Sequence, residues 1–190
     1  MKLRRSISGV VIAAIVVLVV LLAAVAAYAF FSISSLQSQN SSLQREAAVS
    51  EVTQLAYQHW AAIGEANLTA TMSEYSSSAQ LWWYVRNSPL NTVSSAYTGS
   101  NISETWSKFF KVGPTYWTVY NFSVTIQSPT SAKVTADLWY VIGNGNSTRT
   151  LYLPYELDYS YQNGQWMLVG DWWGLPNHYG YSMPGVVSPS

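Results

Sequence analysis

Few side chains in this 190-residue sequence have the chemistry for catalysis, and they are scattered. There is no cysteine, hence no disulfide, no thiolate metal site and no cysteine nucleophile. The two histidines, His59 and His178, share no short spacing with carboxylates, so no metal centre is expected. Asp137 and Asp171 each sit in an apolar, alternating stretch, where a buried carboxylate resists ionisation and can serve as a general base. Alternation places Asp137 opposite its neighbours Ala136 and Leu138, on the outer face. Glu156 and Asp158 read as an outward pair, and His178 falls in the tail. Gly-rich phosphate loops and Gly-x-Ser-x-Gly elbows are absent, and no cofactor is implied.

Aromatic residues are the unusual resource: nine Trp, fourteen Tyr and five Phe. Large rings are worth most when buried, so most of them are expected in a core. The adjacent pairs Trp82-Trp83 and Trp172-Trp173 cannot both point inward from a strand, so one of each faces outward. If the core is hollow, His59, Trp60, Trp82, Asp137 and Trp172 are the candidate pocket residues.

The charges are few, nine basic against nine acidic, and unevenly placed. Zero net charge argues against nucleic acid as a partner, because phosphate binding needs a basic surface. Lys2, Arg4 and Arg5 open the chain, and the next charge is Arg45. Between them Val10 to Phe31 is an unbroken apolar run of 22 residues, about 33 Å as a helix. Fourteen of these are Leu, Ile, Val or Phe, which favour membrane insertion by roughly 4–8 kcal/mol together. The basic N-terminal flank sets the N-terminus in the cytoplasm and the rest outside. Three readings stay open: a retained single-span anchor, a secretory signal cleaved after Ala27-Tyr28-Ala29, and a processed signal of another kind. The last rests on Arg4-Arg5-Ser6-Ile7-Ser8-Gly9-Val10-Val11, which resembles the class III signal of archaeal type IV pilins and related surface proteins. That resemblance implies cleavage between Ser6 and Ile7 and a role as a filament subunit.

Residues 32–46 are polar, and Ile33, Leu36, Asn40, Leu43 and Ala47 recur at three and four, predicting a helical stalk. The stripe Val49, Val52, Ala56, Trp60 and Ile63 carries the helix on to Gly64, with a stop around Asn67-Leu68. Five Asn-x-Ser/Thr sequons, at Asn40, Asn67, Asn101, Asn121 and Asn146, agree with exposure outside the cell and make a glycoprotein the expectation.

The remainder reads as a helical half followed by strands. One or two helical turns span Leu68 to Tyr75, and Ala79 to Val85 reads as a strand. A loop lies between Pro89 and Gly99, then a short helix is capped by Ser103 and stopped by Gly113-Pro114. Four strands follow. In the first, Tyr116, Thr118, Tyr120, Phe122, Val124 and Ile126 share a face; in the second, Val134 to Ile142 alternate. Leu151 to Tyr161 alternate in the third, where Pro154 suggests an edge or a bulge. Asn163-Gly164 is a two-residue hairpin signal leading into Gln165–Trp173. There Trp166, Leu168, Gly170 and Trp172 share one face by strict alternation. Asp171 is expensive to bury, so its face, with Trp173, is expected outward and Trp172 in the core. Residues 175–190 read as an irregular tail.

Helix, helical turn, strand, helix and antiparallel meander, with the phrases Glu74-Tyr75-Ser76-Ser77-Ser78-Ala79, Gly99 with Ile102 to Phe110, and Gln162-Asn163-Gly164-Gln165-Trp166, resemble the NTF2-like superfamily of cone-shaped α+β domains. The resemblance spans residues 47–174. It implies a curved antiparallel sheet packed on helices, and enzymes of the group carry a carboxylate or His on the strand after the second helix. Here Ala79 to Val85 holds no ionisable acid. The expectation is therefore a non-catalytic, membrane-anchored, extracytoplasmic binding or assembly module, touching lipid and a protein partner at the cell surface. The alternatives are the filament subunit and a lyase or isomerase with an apolar pocket.

Overall fold

The computed structural model describes residues 9–87, 95–143 and 145–185. The Ser6–Ile7 junction lies outside the described residues. The chain divides into two compact units, Met1–Glu46 and Ala47–Ser190.

Among the described residues, helix α1 (Gly9–Gly64) supplies the regular structure of the first unit and the opening turns of the second. In the first unit its apolar side chains, Ile12, Leu18 and Leu22 among them, are more than half exposed. A contiguous exposed apolar surface of this kind marks an interaction site or a membrane segment. It is one helix, among the described residues, with the length and composition to cross a membrane.

In the second unit Val52, Ala56, His59, Trp60 and Ile63 recur at helical spacing and are all buried. α2 (Leu68–Ser73) is one short turn whose N-cap, Asn67, accepts from the Ala70 N–H. α3 (Ser100–Val112) starts directly after Gly99 rather than at Ser103, and buries Ile102, Thr105, Trp106 and Phe109.

Among the described residues the sheet has eight strands: β1 (Tyr75–Trp83), β2 (Val85–Arg86), β3 (Ser95–Thr98), β4 (Pro114–Ser128), β5 (Ser131–Ile142), β6 (Arg149–Gln162), β7 (Gln165–Trp173) and β8 (Gly180–Pro184). It is mixed rather than antiparallel, because β1 runs parallel to β7 and β2 parallel to β8. β3 fills part of the expected loop, and the expected irregular tail contributes β8, paired with β6 and β2. β6 is central. On one side it pairs with β5; on the other its first half pairs with β8 and its second with β7. Pro154 falls where β6 changes partner, between Tyr152 and Tyr155, so this strand needs neither an edge position nor a bulge there.

Two bulges overturn the strict alternation expected from sequence. In β4, Tyr120 pairs with Asp137 and Ser123 with Thr135, leaving Asn121 and Phe122 opposite Ala136. Asn121 takes φ 52°, a left-handed conformation that asparagine tolerates. The phase flips there: Trp117 and Val119 pack inward before it, Phe122, Val124 and Ile126 after it, while Tyr116 and Tyr120 are exposed. In β7, Leu168 pairs with Tyr159 and Gly170 with Asp158, which leaves Val169 unpaired. Beyond it Asp171 and Trp173 point into the core at 0% exposure, and Trp172 lies outward. The expected face of β7 is therefore inverted from Gly170 onward. Gly170 suits this bend because a Cβ there would stand 2.8 Å from Asp158 Oδ2 and 2.9 Å from Trp172 Nε1, which are hydrogen-bonded over it.

The concave face of the sheet and the helices enclose one aromatic core. Trp173 stacks on Trp83 at 4.9 Å and meets Trp106, Phe109 and Tyr155 edge-on.

Candidate functional site

The inversion of β7 brings Asp171 to His59, which α1 presents from its buried stripe. Glu74 is the C-cap of α2 and β1 begins at Tyr75, four residues before the expected strand start, which brings both residues to His59. His59 Nδ1 lies 2.7 Å from Glu74 Oε2, and His59 Nε2 lies 3.4 Å from Asp171 Oδ2. The second contact is an ion-pair distance rather than a well-formed hydrogen bond, and Nε2 has no other partner among the described residues. Asp171 receives better donors. The Tyr75 hydroxyl donates to Oδ2, the Tyr155 hydroxyl donates to Oδ1 at 2.7 Å, and the Trp106 indole N–H donates to Tyr75 Oη at 3.0 Å.

His59 and Asp171 are fully buried; Glu74 alone reaches the surface, with 15% of its side chain exposed. Burial by itself pulls the imidazole down, but the bonding and charge of Asp171 and Glu74 outweigh it and push it up to about 9. The geometry agrees, because each ring nitrogen faces a carboxylate and only the imidazolium has an N–H for both. Burial, and then the Asp171 charge, raise the hydroxyls of Tyr75 and Tyr155 well above the ordinary tyrosine value, so both stay protonated donors. An imidazolium held between two carboxylates is a proton donor at both ring nitrogens.

This arrangement has a pH signature. The folded-state value of His59, about 9, lies above its ordinary 6.5. The stabilisation is then complete below about pH 6.5 and is lost as pH rises through 9. Urea unfolding of the Ala47–Ser190 unit is expected to show stability falling across that window, by on the order of 3 kcal/mol. His59→Gln should flatten the profile. A stability that is level or rising over the same range would contradict the ionised network.

The residues expected to share a pocket are divided by the sheet. His59 and Trp60 are buried on the concave side. Trp82 and Trp172 stack on each other at 5.1 Å on the outer face. Asp137 is also on the outer face, accepting from Asn121 Nδ2 at 2.7 Å, and His178 is exposed in the turn after β7. Trp60 borders a void, with Ile63, Trp117, Leu138, Tyr140 and Trp173, that does not admit a water molecule. Nothing in the sequence pattern marks Glu74, Tyr75 or Tyr155 as site residues, and strict alternation turns Asp171 away from them. A glycine inside the alternating run of β7 was the local signal of a bulge. The sequon residues Asn40, Asn67, Asn101, Asn121 and Asn146 are all exposed.

No protein-family model matches the chain, and no curated protein matches it in sequence. Solved structures do share its fold. An NTF2-like protein of unknown function from Pseudomonas putida matches with a TM-score of 0.53 at 19% identity, over 69% of this chain and 88% of its own. A ketosteroid isomerase-like protein from Erwinia carotovora atroseptica matches at 0.52 and 14%, over 74% and 97%. A hexachlorocyclohexane dehydrochlorinase matches at 0.53 and 12%, over 78% and 92%. The fold is thus NTF2-like, an α+β arrangement of a long N-terminal helix and a curved mixed sheet. At these identities the likeness carries fold alone.

Proposed function

We propose that the chain is a non-catalytic binding or assembly module, held at the outer side of a cell membrane by the apolar part of α1. The observation that carries this reading is the state of the core. The acid/base groups His59 and Asp171 are fully buried and turned on each other; Trp106 stands edge-on to the His59 ring at 6.4 Å, and Phe109 and Trp173 pack on Trp106. An acid or base that touches no opening has no substrate to act on. The anchor rests on the exposed apolar surface from Ile12 onward and on the basic flank Lys2, Arg4 and Arg5, which orients the domain outward. Purification of the full chain in mild detergent, with mass spectrometry of what accompanies it, is expected to yield a stoichiometric protein partner. A chain recovered alone and monodisperse would contradict the assembly role.

A lyase or isomerase working inside the cone is the second reading, and it too has an observation in its favour. The buried polar atoms Trp60 Nε1, Trp173 Nε1, Tyr159 Oη and His59 Nε2 lack hydrogen-bond partners among the described residues, and would suit the acceptor oxygens of an apolar ligand. The names of the isomerase-like and dehydrochlorinase neighbours accord with such chemistry. Against it stands the void beside Trp60 and Trp173, too narrow for water and so closed to a substrate unless the core opens.

A further inference from the structure

The outer face of the sheet carries a cleft of about 160 Å³, bordered by Tyr120, Asp137, Tyr152, His178, Tyr179 and Tyr181. Its floor comes from β5 and β6, and its wall from β8 and the turn that Leu175 and His178 close by exchanging backbone hydrogen bonds. The Arg86 guanidinium lies over the Tyr179 ring at 4.8 Å and near the Tyr181 ring at 6.0 Å, which holds this wall in place. Tyr120 and Tyr181 are 37% and 49% exposed, so ring surface is open to a ligand. Aromatic faces, a carboxylate and an imidazole around a small cleft suit a neutral polyhydroxylated ring. The rings cover its C–H faces, and the polar groups take its hydroxyls.

A source for such a ring stands at the rim. Asn121 begins the sequon Asn121-Phe122-Ser123, and the β4 bulge lifts it out of the ladder with its side chain exposed. Its Nδ2 donates to Asp137 Oδ2 at 2.7 Å, and Asp137 lines the cleft. An asparagine joined to a sugar loses one amide hydrogen and keeps the other, so one N–H remains for Asp137 while the sugar leaves the nitrogen beside it. We propose that Asn121 carries an N-linked glycan whose first sugar seats in this tyrosine cleft. The proposal rests on the outward placement of the domain argued above. It makes the glycan part of the outer surface of the fold rather than a free chain in solvent.

The test uses the full chain purified from cells that export it. Glycopeptide mass spectrometry is expected to find Asn121 occupied. Ser123→Ala abolishes the sequon while leaving Asn121 and its hydrogen bond in place, and should lower Tm by about 3 °C. In a Tyr181→Ala background the same Ser123→Ala change should leave Tm unmoved, because the sugar has already lost its seat. An equal Tm loss in both backgrounds overturns the seat. A bare Asn121 beside an occupied Asn40, Asn67, Asn101 or Asn146 overturns the glycan and leaves the outward placement standing. Five bare sequons on a domain that external protease reaches do the same, whereas five bare sequons on a protease-protected domain overturn the placement as well.

Discussion

Asp171→Ala is expected to be among the most destabilising single substitutions in the Ala47–Ser190 unit, at about 3–5 kcal/mol. The carboxylate closes three contacts at once: the hydroxyls of Tyr75 and Tyr155 and the Nε2 edge of His59. Removing it leaves two buried hydroxyls without acceptors and a buried imidazolium with only Glu74 to balance it. The charges need not be net stabilising for this to hold, since breaking a buried pair costs more than the pair contributes. Urea unfolding measures the loss. Replacing both members, His59→Leu with Asp171→Leu, should cost clearly less than the two single losses added together, because no unpaired charge remains. A loss below about 1 kcal/mol for Asp171→Ala would mean that the carboxylate is solvated and the β7 register is wrong.

Trp173→Ala is expected to cost a further full core truncation, about 3–5 kcal/mol, and Trp172→Ala considerably less. Trp173 is completely buried, with Trp83 stacked on it at 4.9 Å and Tyr155 edge-on at 5.3 Å. Trp172 is half-buried on the opposite face, where it stacks on Trp82 and donates to Asp158 at 2.8 Å. Thermal unfolding of the two variants side by side decides the matter. If Trp172→Ala is the more damaging, the phase of β7 is the one that strict alternation predicts, and Asp171 returns to solvent.

Those two residues show where sequence reasoning succeeds and where it stops. The β5–β6 ladder runs without a register shift, so Val134, Leu138, Tyr140, Leu151, Leu153, Tyr155 and Leu157 are legible as core and are buried. Asn163-Gly164 makes a two-residue turn with φ of 51° and 88°, as that dipeptide predicts. The bulges at Asn121 and Val169 are different in kind. Each inserts one residue, is marked locally by no more than an asparagine or a glycine, and reverses every side chain beyond it. The cost of burying a lone carboxylate points Asp171 outward in the sequence. That cost falls once Tyr75, Tyr155 and His59 converge on it from three other elements, a convergence created by long-range pairing and invisible within any window of sequence. β8 escaped for a related reason: Gly180–Pro184 is short, and it becomes a strand because β6 leaves an edge open beside Arg149 to Tyr152.

The proposed assembly role rests on a closed core in which His59 faces two carboxylates, and NMR titration of the His59 ring nitrogens tests it most directly. The predicted result is an imidazolium at neutral pH, with both nitrogens protonated and slow to exchange, that releases its proton only near pH 9. A neutral ring in rapid exchange with solvent, titrating near 6.5, would contradict it and place an available base at the heart of the cone.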